Sequence, residues 1–320
     1  MATLIRGSNA NDTTLDTRLR GHDGQGGLQA DRFSPPGEAH WKGVFRRIRR
    51  DSAGLIGMAI ILILFLSSLL APVLTSYDPV KQNLNEMLSS PGFRHPLGTD
   101  RYGRDLLTRI IYGCRYALII GVGVVMIQMT VGVCLGLTAG YYGGIVESIV
   151  MRLTDVMLSI PSIVLAMTIA GFLGGGIQNV IIAVGAIGWR DYTRLVRGGV
   201  LSAKERTFVE AARASGCGHL RIMARHILPH VVAPVIAYSA LAAGAAILWA
   251  AALSFLGLGA QPPTPEWGAM LADGREDMRD AWWIATFPGL AIMVTVLGFN
   301  FFGDALRKIL DPKTKQPGRT

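Results

Sequence analysis

The chain has 320 residues, of which 50% are hydrophobic and only 17% are charged. An average soluble protein has about 25% charged residues, so this composition argues against an ordinary soluble domain. The formal net charge is +9. A basic balance is compatible with nucleic-acid binding, but in membrane proteins Lys and Arg collect in cytoplasmic loops, and we favour that explanation. The three cysteines are unevenly spaced, so neither a disulfide framework nor a metal site is predicted.

The apolar residues are clustered into long runs that are almost free of charge. A helix needs about 20 such residues to cross the hydrocarbon core of a bilayer. The runs do not alternate between apolar and polar residues, as the strands of a membrane barrel would. We therefore predict an all-α fold, a polytopic bundle with six transmembrane helices. The predicted spans are 54–74, 115–139, 145–172, 179–197, 231–256 and 284–303.

The segment before the first span is polar and contains no apolar core of a cleavable signal peptide. Residues 1–50 are predicted to form a cytoplasmic tail that ends in a basic interfacial segment, 42–50, suited to anionic lipid headgroups. Residues 51–114 would hold the first span and an extracytoplasmic loop. A core, 115–312, would follow with a cytoplasmic loop at 198–230, and 313–320 would be a second cytoplasmic tail.

Charge gives the orientation. Residues 190–230 carry eight basic and three acidic side chains, which predicts a cytoplasmic location. Residues 257–283 carry five acidic and two basic side chains, as expected outside. Both termini are therefore predicted to be cytoplasmic. In the third span, Pro161 should kink the helix. Arg152 and Asp155 lie three residues apart there and could pair on one helix face.

The cytoplasmic loop has a specific order of residues. Glu210-Ala-Ala precedes Gly216, which can end a short helix at 203–215, and Ile-Leu-Pro229 follows. This order resembles the EAA loop of ABC importer permeases, and it lies between the fourth and fifth predicted spans. The resemblance implies that the loop is a coupling helix seated in an ATPase subunit. The implied coupling residues are Glu210, Ala211, Ala212, Arg213, Gly216, Ile227, Leu228 and Pro229.

Two turn-rich segments on the predicted outer side resemble the C-type permeases of dipeptide and oligopeptide (nickel) importers, and the likeness covers about 45–312. The extracytoplasmic motif consists of His95, Gly98, Thr99, Asp100, Gly103, Arg104 and Asp105. The pore-mouth motif consists of Leu256, Gly257, Gly259, Pro262, Pro263, Trp267 and Gly268.

Pro and Gly break helices, so both motifs are expected to fold over the mouth of a pore. Asp100, Arg104 and Asp105 could form an ion-pair cluster there. The extracytoplasmic motif either contacts a solute-binding protein or merely caps the second span. Three tryptophans fit an interfacial belt: Trp267, Trp282 and Trp283.

The resemblance implies a type I ABC importer permease in a bacterial cytoplasmic (inner) membrane. Its implied partners are a homologous permease that completes a heterodimer, two ATPase subunits, an extracytoplasmic solute-binding protein and membrane lipid, with no nucleic acid. The chain contains no Gly-x4-Gly-Lys-Ser/Thr loop to hold a nucleotide phosphate. We expect no catalytic, cofactor-binding or metal-binding residues in it, and no enzymatic activity. ATP and Mg would bind to the partner ATPases.

The expected cargo is a di- or oligopeptide. The alternatives are the same architecture with nickel, glutathione or an oligosaccharide as cargo, or a stand-alone secondary transporter. A stand-alone transporter predicts ionisable residues deep within the spans, and only Arg152 and Asp155 approach that position. A membrane-embedded enzyme would need a paired catalytic constellation, and none is present in the sequence.

Overall fold

The computed structural model describes residues 51–310, which fold into α-helices and contain no β-strand. The predicted all-α fold is therefore confirmed, whereas the predicted tails 1–50 and 313–320 lie outside the described residues. A short 3-10 turn, Leu84–Glu86, lies in the first long loop. The helices are α1 (Ser52–Leu74), α2 (Leu106–Tyr142), α3 (Gly144–Ser159), α4 (Ser162–Leu173), α5 (Ile177–Lys204), α6 (Thr207–Ala214), α7 (His219–Phe255), α8 (Trp267–Asp273) and α9 (Trp283–Leu310).

Within residues 51–310, four helices are long and apolar enough to cross a membrane: α1, α2, α7 and α9. The bent pair α3 and α4 adds a fifth if it counts as one span. Helix α5 has 28 residues, enough to cross, but its charged residues from Arg190 onward set it apart from those helices. Multiple spans are thus established, and the count of six stays a prediction.

Helix α2 begins at Leu106, well before the predicted start of the second span at 115. At about 1.5 Å per residue, its 37 residues reach about 55 Å, well beyond the hydrocarbon core. The boundary placed between 114 and 115 falls inside this helix. The first turn was missed because it contains Thr108 and Arg109, polar residues that suit a loop but are buried here by the loop that packs on them.

The chain turns sharply between α3 and α4. Pro161 precedes Ser162, and the two helix axes differ by 91°. The kink predicted at Pro161 is therefore confirmed and is a full break. The predicted pair of Arg152 and Asp155 is wrong, since Asp155 Oδ1 accepts a hydrogen bond from Arg194 Nη2 at 2.6 Å. The prediction considered residues of one helix only, whereas the observed partner of Asp155 is Arg194 on α5.

Helices α2 and α5 pack closely because α2 presents glycine to α5 every fourth residue. A Cβ at Gly136 would lie 2.7 Å from Val196 Cβ, and one at Gly140 would lie 2.7 Å from Val200 Cβ. Small residues permit such close approach of helices in a bilayer. The packing puts the carboxyl ends of α2 and α5 side by side, where Lys204 Nζ donates to the Gly140 carbonyl oxygen at 3.2 Å.

Candidate functional site

The short helix α6 follows α5 after a two-residue turn. It has eight residues and ends in two backbone hydrogen bonds that reverse the chain: Gly216 N–H donates to the Arg213 carbonyl, and Cys217 N–H donates to the Ala212 carbonyl. This is a Schellman ending, which needs a left-handed residue at the position of Gly216. Gly216 has φ +74°, and a Cβ on it would meet nothing within 4 Å, so its backbone conformation is what favours glycine there.

Helix α6 has an inner and an outer face. Val209 and Ala212 are buried in a cluster with Ile222, Met223 and Ile227 at the start of α7. The predicted coupling residues therefore divide into two groups, of which the buried group supports the exposed one. Ala212 and Ile227 are buried and Leu228 is half-buried, whereas Glu210, Ala211, Arg213, Gly216 and Pro229 are exposed.

Contacts with α2 hold this region from the other side. The Arg213 guanidinium carbon lies 5.7 Å from the centre of the Tyr141 ring, within the range of a cation–π contact. The Tyr141 hydroxyl is hydrogen-bonded to His219 Nδ1 at 2.8 Å. Residues 222–227 form a π-helical segment, a widened turn that often occurs at functional positions. The exposed side chains of Glu210 and Arg213 thus project from a helix that is packed against both α7 and α2.

The other end of α2 carries the extracytoplasmic motif, where Asp105 is the helix cap. Its Oδ2 accepts from the backbone N–H of Thr108 at 2.8 Å and from the Thr108 hydroxyl at 2.7 Å. Its Oδ1 lies 2.8 Å from His95 Nδ1, and His95 Nε2 lies 3.3 Å from Glu86 Oε2. The alternative that this motif caps the second span is therefore observed directly.

The predicted ion-pair cluster is present, with one difference. Arg104 Nε donates to Asp100 Oδ2 at 2.6 Å, but Asp105 pairs with His95 instead of Arg104. Both Asp100 and Arg104 are buried. Gly98 and Gly103 have φ +79° and +67°, and a Cβ on Gly103 would overlap the Asn83 carbonyl. The motif is consequently a closed, internally bonded loop.

Sequence reasoning missed Arg109, which joins the two outer motifs. Its Nε lies 3.6 Å from Asp100 Oδ2, and its Nη1 donates to the Pro263 carbonyl at 3.3 Å and to the Pro79 carbonyl at 2.8 Å. In the sequence this arginine lies within 51–114, the range predicted to hold the first span and an extracytoplasmic loop. Its position four residues after Asp105 on a continuous helix was the signal that could have identified it.

The pore-mouth motif is built around a second cap. Both carboxylate oxygens of Glu266 accept backbone N–H groups of α8, from Gly268 at 3.0 Å and from Ala269 at 2.9 Å. Burial raises the pKa of Glu266, and these two hydrogen bonds oppose that rise. Gly268 packs on the Ala251 backbone, and Gly259 packs on Ser254. Leu256 and Gly257 are exposed, and the peptide bond between Pro262 and Pro263 is cis.

The belt prediction is wrong for two of the three tryptophans. Trp267 and Trp283 are 3% and 6% exposed, and their indole N–H groups donate to the carbonyls of Ile110 and Thr99, both at 3.1 Å. Of the three, Trp282 alone is exposed. The buried pair lies where loops cover the helix ends, a location that the composition of a loop does not reveal.

Acidic residues on the loop before α9 bind Arg101. Its guanidinium lies 2.9 Å from Asp277 Oδ2 and 3.0 Å from Glu276 Oε2. The pKa of Arg101 is raised, mainly by the hydrogen bond that its guanidinium donates to Asp277. Because Arg109 contacts both Asp100 and Pro263, the extracytoplasmic and pore-mouth motifs form one connected surface, at the opposite end of α2 from α6.

The bundle of long apolar helices, with an exposed two-turn helix at one end and an interlocked loop cluster at the other, defines a polytopic membrane protein. Residues 132–316 match the family model described as binding-protein-dependent transport system inner membrane component. Residues 40–91 match the N-terminal TM domain of oligopeptide transport permease C. The chain belongs to the family of binding-protein-dependent transport system inner membrane components.

Curated relatives cover nearly the whole chain. It is 44% identical over 288 residues to the dipeptide transport system permease protein DppC of Alkalihalophilus pseudofirmus, covering 88% of this chain and 95% of that protein. It is 42% identical to the di/tripeptide transport system permease protein DppC of Pseudomonas aeruginosa, over 86% and 92% of the two chains. It is also 42% identical to the glutathione transport system permease protein GsiD of Pectobacterium atrosepticum, over the same shares.

These matches establish the chain as a permease subunit of an ABC importer, a class that transports solute and works with ATPase and binding-protein partners.

Proposed function

We propose that this chain is the C-type permease of an ATP-driven importer that moves di- and oligopeptides across the bacterial inner membrane. Support comes from the relatives named for dipeptide and di/tripeptide transport, which match at 41–44% identity over most of their length. In this proposal a homologous permease completes the pore as a heterodimer. The chain crosses the membrane six times with both termini in the cytoplasm, because the basic segment 190–230 fits that side.

The proposed partners divide between the two ends of the bundle. Two ATPase subunits, which carry ATP and Mg, bind the exposed face of α6, and a solute-binding protein docks on the loop cluster opposite. The observation that carries the proposal is the pair Glu210 and Arg213, exposed on a helix whose other face is fixed by Val209 and Ala212. Closure of the ATPases would move α6, and with it the ends of α5 and α7.

The test replaces residues of the exposed face in the reconstituted importer. We expect Glu210→Ala and Gly216→Val to separate ATP hydrolysis from peptide uptake in proteoliposomes while the chain still inserts. Glu205→Ala is the matched control, since Glu205 is an exposed acid just outside α6. Wild-type uptake per ATP in both variants would refute the role given to α6.

Glutathione is the second candidate cargo. Relatives named as glutathione transport permeases match at 42–43% identity, close to the values for the dipeptide relatives. Competition between labelled dipeptide and glutathione for uptake by the reconstituted importer separates the two candidates. If the importer carries dipeptides, an excess of glutathione leaves dipeptide uptake unchanged.

A further inference from the structure

A cavity of about 210 Å³ lies among α2, α4, α5 and α7, away from both ends of the bundle. A water molecule occupies about 30 Å³ of liquid, so the cavity can take a small polar group and its neighbouring atoms. About half of its lining residues are alanine, valine or isoleucine. Its polar lining consists of Gln128, Ser162, Arg190, Asp191, Tyr238 and Trp249.

Arg190 is fixed at the wall of this cavity by the break between α3 and α4. Its Nη1 donates to the Met157 carbonyl oxygen at 2.7 Å, and its Nη2 donates to the Ser162 hydroxyl at 2.6 Å. Those two bonds leave unused several of the roughly five N–H donors of a guanidinium. The side chain is therefore held in place with donors left over.

The Nε of the guanidinium is buried without a hydrogen-bond partner. Arg190 is 8% exposed, and its Nε makes no hydrogen bond to any residue in 51–310. The Asp191 carboxylate is 4.0 Å from that nitrogen, beyond hydrogen-bond distance, and is 44% exposed. A buried charge is costly unless it is paired and hydrogen-bonded. Asp191 gives Arg190 only a long, half-exposed ion pair, so a closer anionic oxygen is favoured at Nε.

Two aromatic side chains supply further donors at the same cavity. The Tyr238 hydroxyl and the Trp249 indole N–H make no hydrogen bond to a described residue, although the Tyr238 ring packs edge-on against Tyr192 at 4.8 Å. A planar guanidinium matches the two oxygens of a carboxylate, and charge-assisted bonds of this kind are the strong ones.

We infer that this cavity binds the carboxylate of the transported solute, with Arg190 as the cationic partner and Tyr238 and Trp249 as additional donors. The inference rests on the proposed import of peptides, each of which carries a C-terminal carboxylate. It gives this permease a part in selecting the cargo, separate from the choice made by a binding protein.

The experiment uses the complete importer in nanodiscs, without binding protein, and a photoreactive dipeptide, alanyl-p-benzoylphenylalanine. Unlabelled alanyl-phenylalanine and its C-terminal amide compete for the labelling. In wild type we expect the label on peptides from α5 and α7. The free acid should compete for labelling at a concentration about tenfold or more below that of the amide.

Variants assign that preference to the cavity. Arg190→Gln should abolish the preference for the free acid over the amide. Tyr238→Phe, which keeps the ring, should weaken competition by the free acid by roughly tenfold. Arg194→Gln is the control, because Arg194 is a neighbouring α5 arginine that does not line the cavity. Ala245→Leu narrows the cavity at an exposed position and should reduce labelling without disturbing the bonds of Arg190.

Equal competition by acid and amide in wild type would overturn the inference, as would a full acid preference in both Arg190→Gln and Tyr238→Phe or unchanged labelling in Ala245→Leu. Uptake of dipeptide by the same preparation, with binding protein added, separates this failure from the failure of the proposed function. Normal uptake with no acid preference refutes the carboxylate site alone. Absence of any dipeptide uptake refutes the proposed function, and the site with it.

Discussion

Arg194 Nη2 on α5 lies 2.6 Å from Asp155 Oδ1 on α3. Arg190 and Arg197, four residues before and three after on the same side of α5, bind the Met157 carbonyl and the Glu147 carboxylate. Three arginines therefore hold α3 along its length. Because only a two-residue turn separates α5 from α6, α5 links the proposed ATPase contact to the break at Pro161.

The pair of Arg197 and Glu147 tests that link. Arg197 Nε donates to Glu147 Oε1 at 2.6 Å, and both side chains are only partly exposed. We expect Arg197→Gln and Glu147→Gln each to lower peptide uptake per ATP hydrolysed in proteoliposomes by a few-fold, because α3 would follow α5 less closely. Arg152→Gln is the control, since Arg152 is exposed on α3 and makes no ion pair with a described residue.

The charge-swapped double variant, Arg197→Glu with Glu147→Arg, should recover part of the lost coupling. Single variants that couple like wild type would show that this pair transmits nothing, whatever its contribution to stability.

The apolar helices could be predicted well from the sequence, and their ends poorly. Long uncharged runs indicated α1, α2, α7 and α9, since only a helix can bury so many consecutive apolar residues in lipid. Helix α2 begins nine residues before the predicted span 115–139, because Asp105 caps a first turn of polar residues. Pro161 indicated a kink, but neither the 91° angle nor the bonds that Arg190 makes at the break from α5 could be predicted from it.

Asp105 should be needed for stability. Its carboxylate caps α2 through Thr108 and also contacts His95, and it is only 4% exposed. We expect Asp105→Ala to cost about 2 kcal/mol or more, since it removes the cap and leaves buried polar groups unpaired. Thermal unfolding of the detergent-purified chain measures the loss. Asp280→Ala, an exposed acid in the neighbouring loop, should change little, and equal midpoints for the two variants would contradict this prediction.

Two features favour glycine at position 103, a positive φ and the lack of space for a Cβ, and only the first also applies at Gly257. Gly103 and Gly257 both have positive φ, but only at Gly103 would a Cβ overlap a backbone carbonyl, that of Asn83. We expect Gly257→Ala to cost about 1–2 kcal/mol from backbone strain. Gly103→Ala should cost about 1–3 kcal/mol more from overpacking. Comparing the two unfolding midpoints checks the difference, and a less stable Gly257→Ala would be the contrary result.

Adjacent tryptophans offer a similar comparison. Trp283 is buried and donates to the Thr99 carbonyl, whereas Trp282 is 51% exposed. We expect Trp283→Phe to lower stability by about 1–3 kcal/mol, because a buried carbonyl loses its donor and the smaller ring leaves a gap. Trp282→Phe should stay within about 0.5 kcal/mol of wild type. The prediction fails if both substitutions have the same effect on thermal unfolding.

The candidate sites were predictable as segments but not as surfaces. The order Glu-Ala-Ala, Gly, Ile-Leu-Pro indicated a helix at 203–215 ended by Gly216, whereas α5 continues to Lys204 and α6 covers Thr207–Ala214. Only packing against Ile222 and Ile227 separates buried Ala212 from exposed Ala211. Arg109 and Glu266 escaped because their partners, the Pro263 carbonyl and the first turn of α8, come together only in the folded loop cluster.

Assembly with ATPases bound at α6 is what separates this permease from a stand-alone transporter. It is measured most directly by purifying the tagged chain in mild detergent and identifying its partners by mass spectrometry. We expect recovery of a second permease, ATPase subunits and a binding protein. Recovery of the chain alone, folded and able to exchange solute in liposomes, would contradict that assembly.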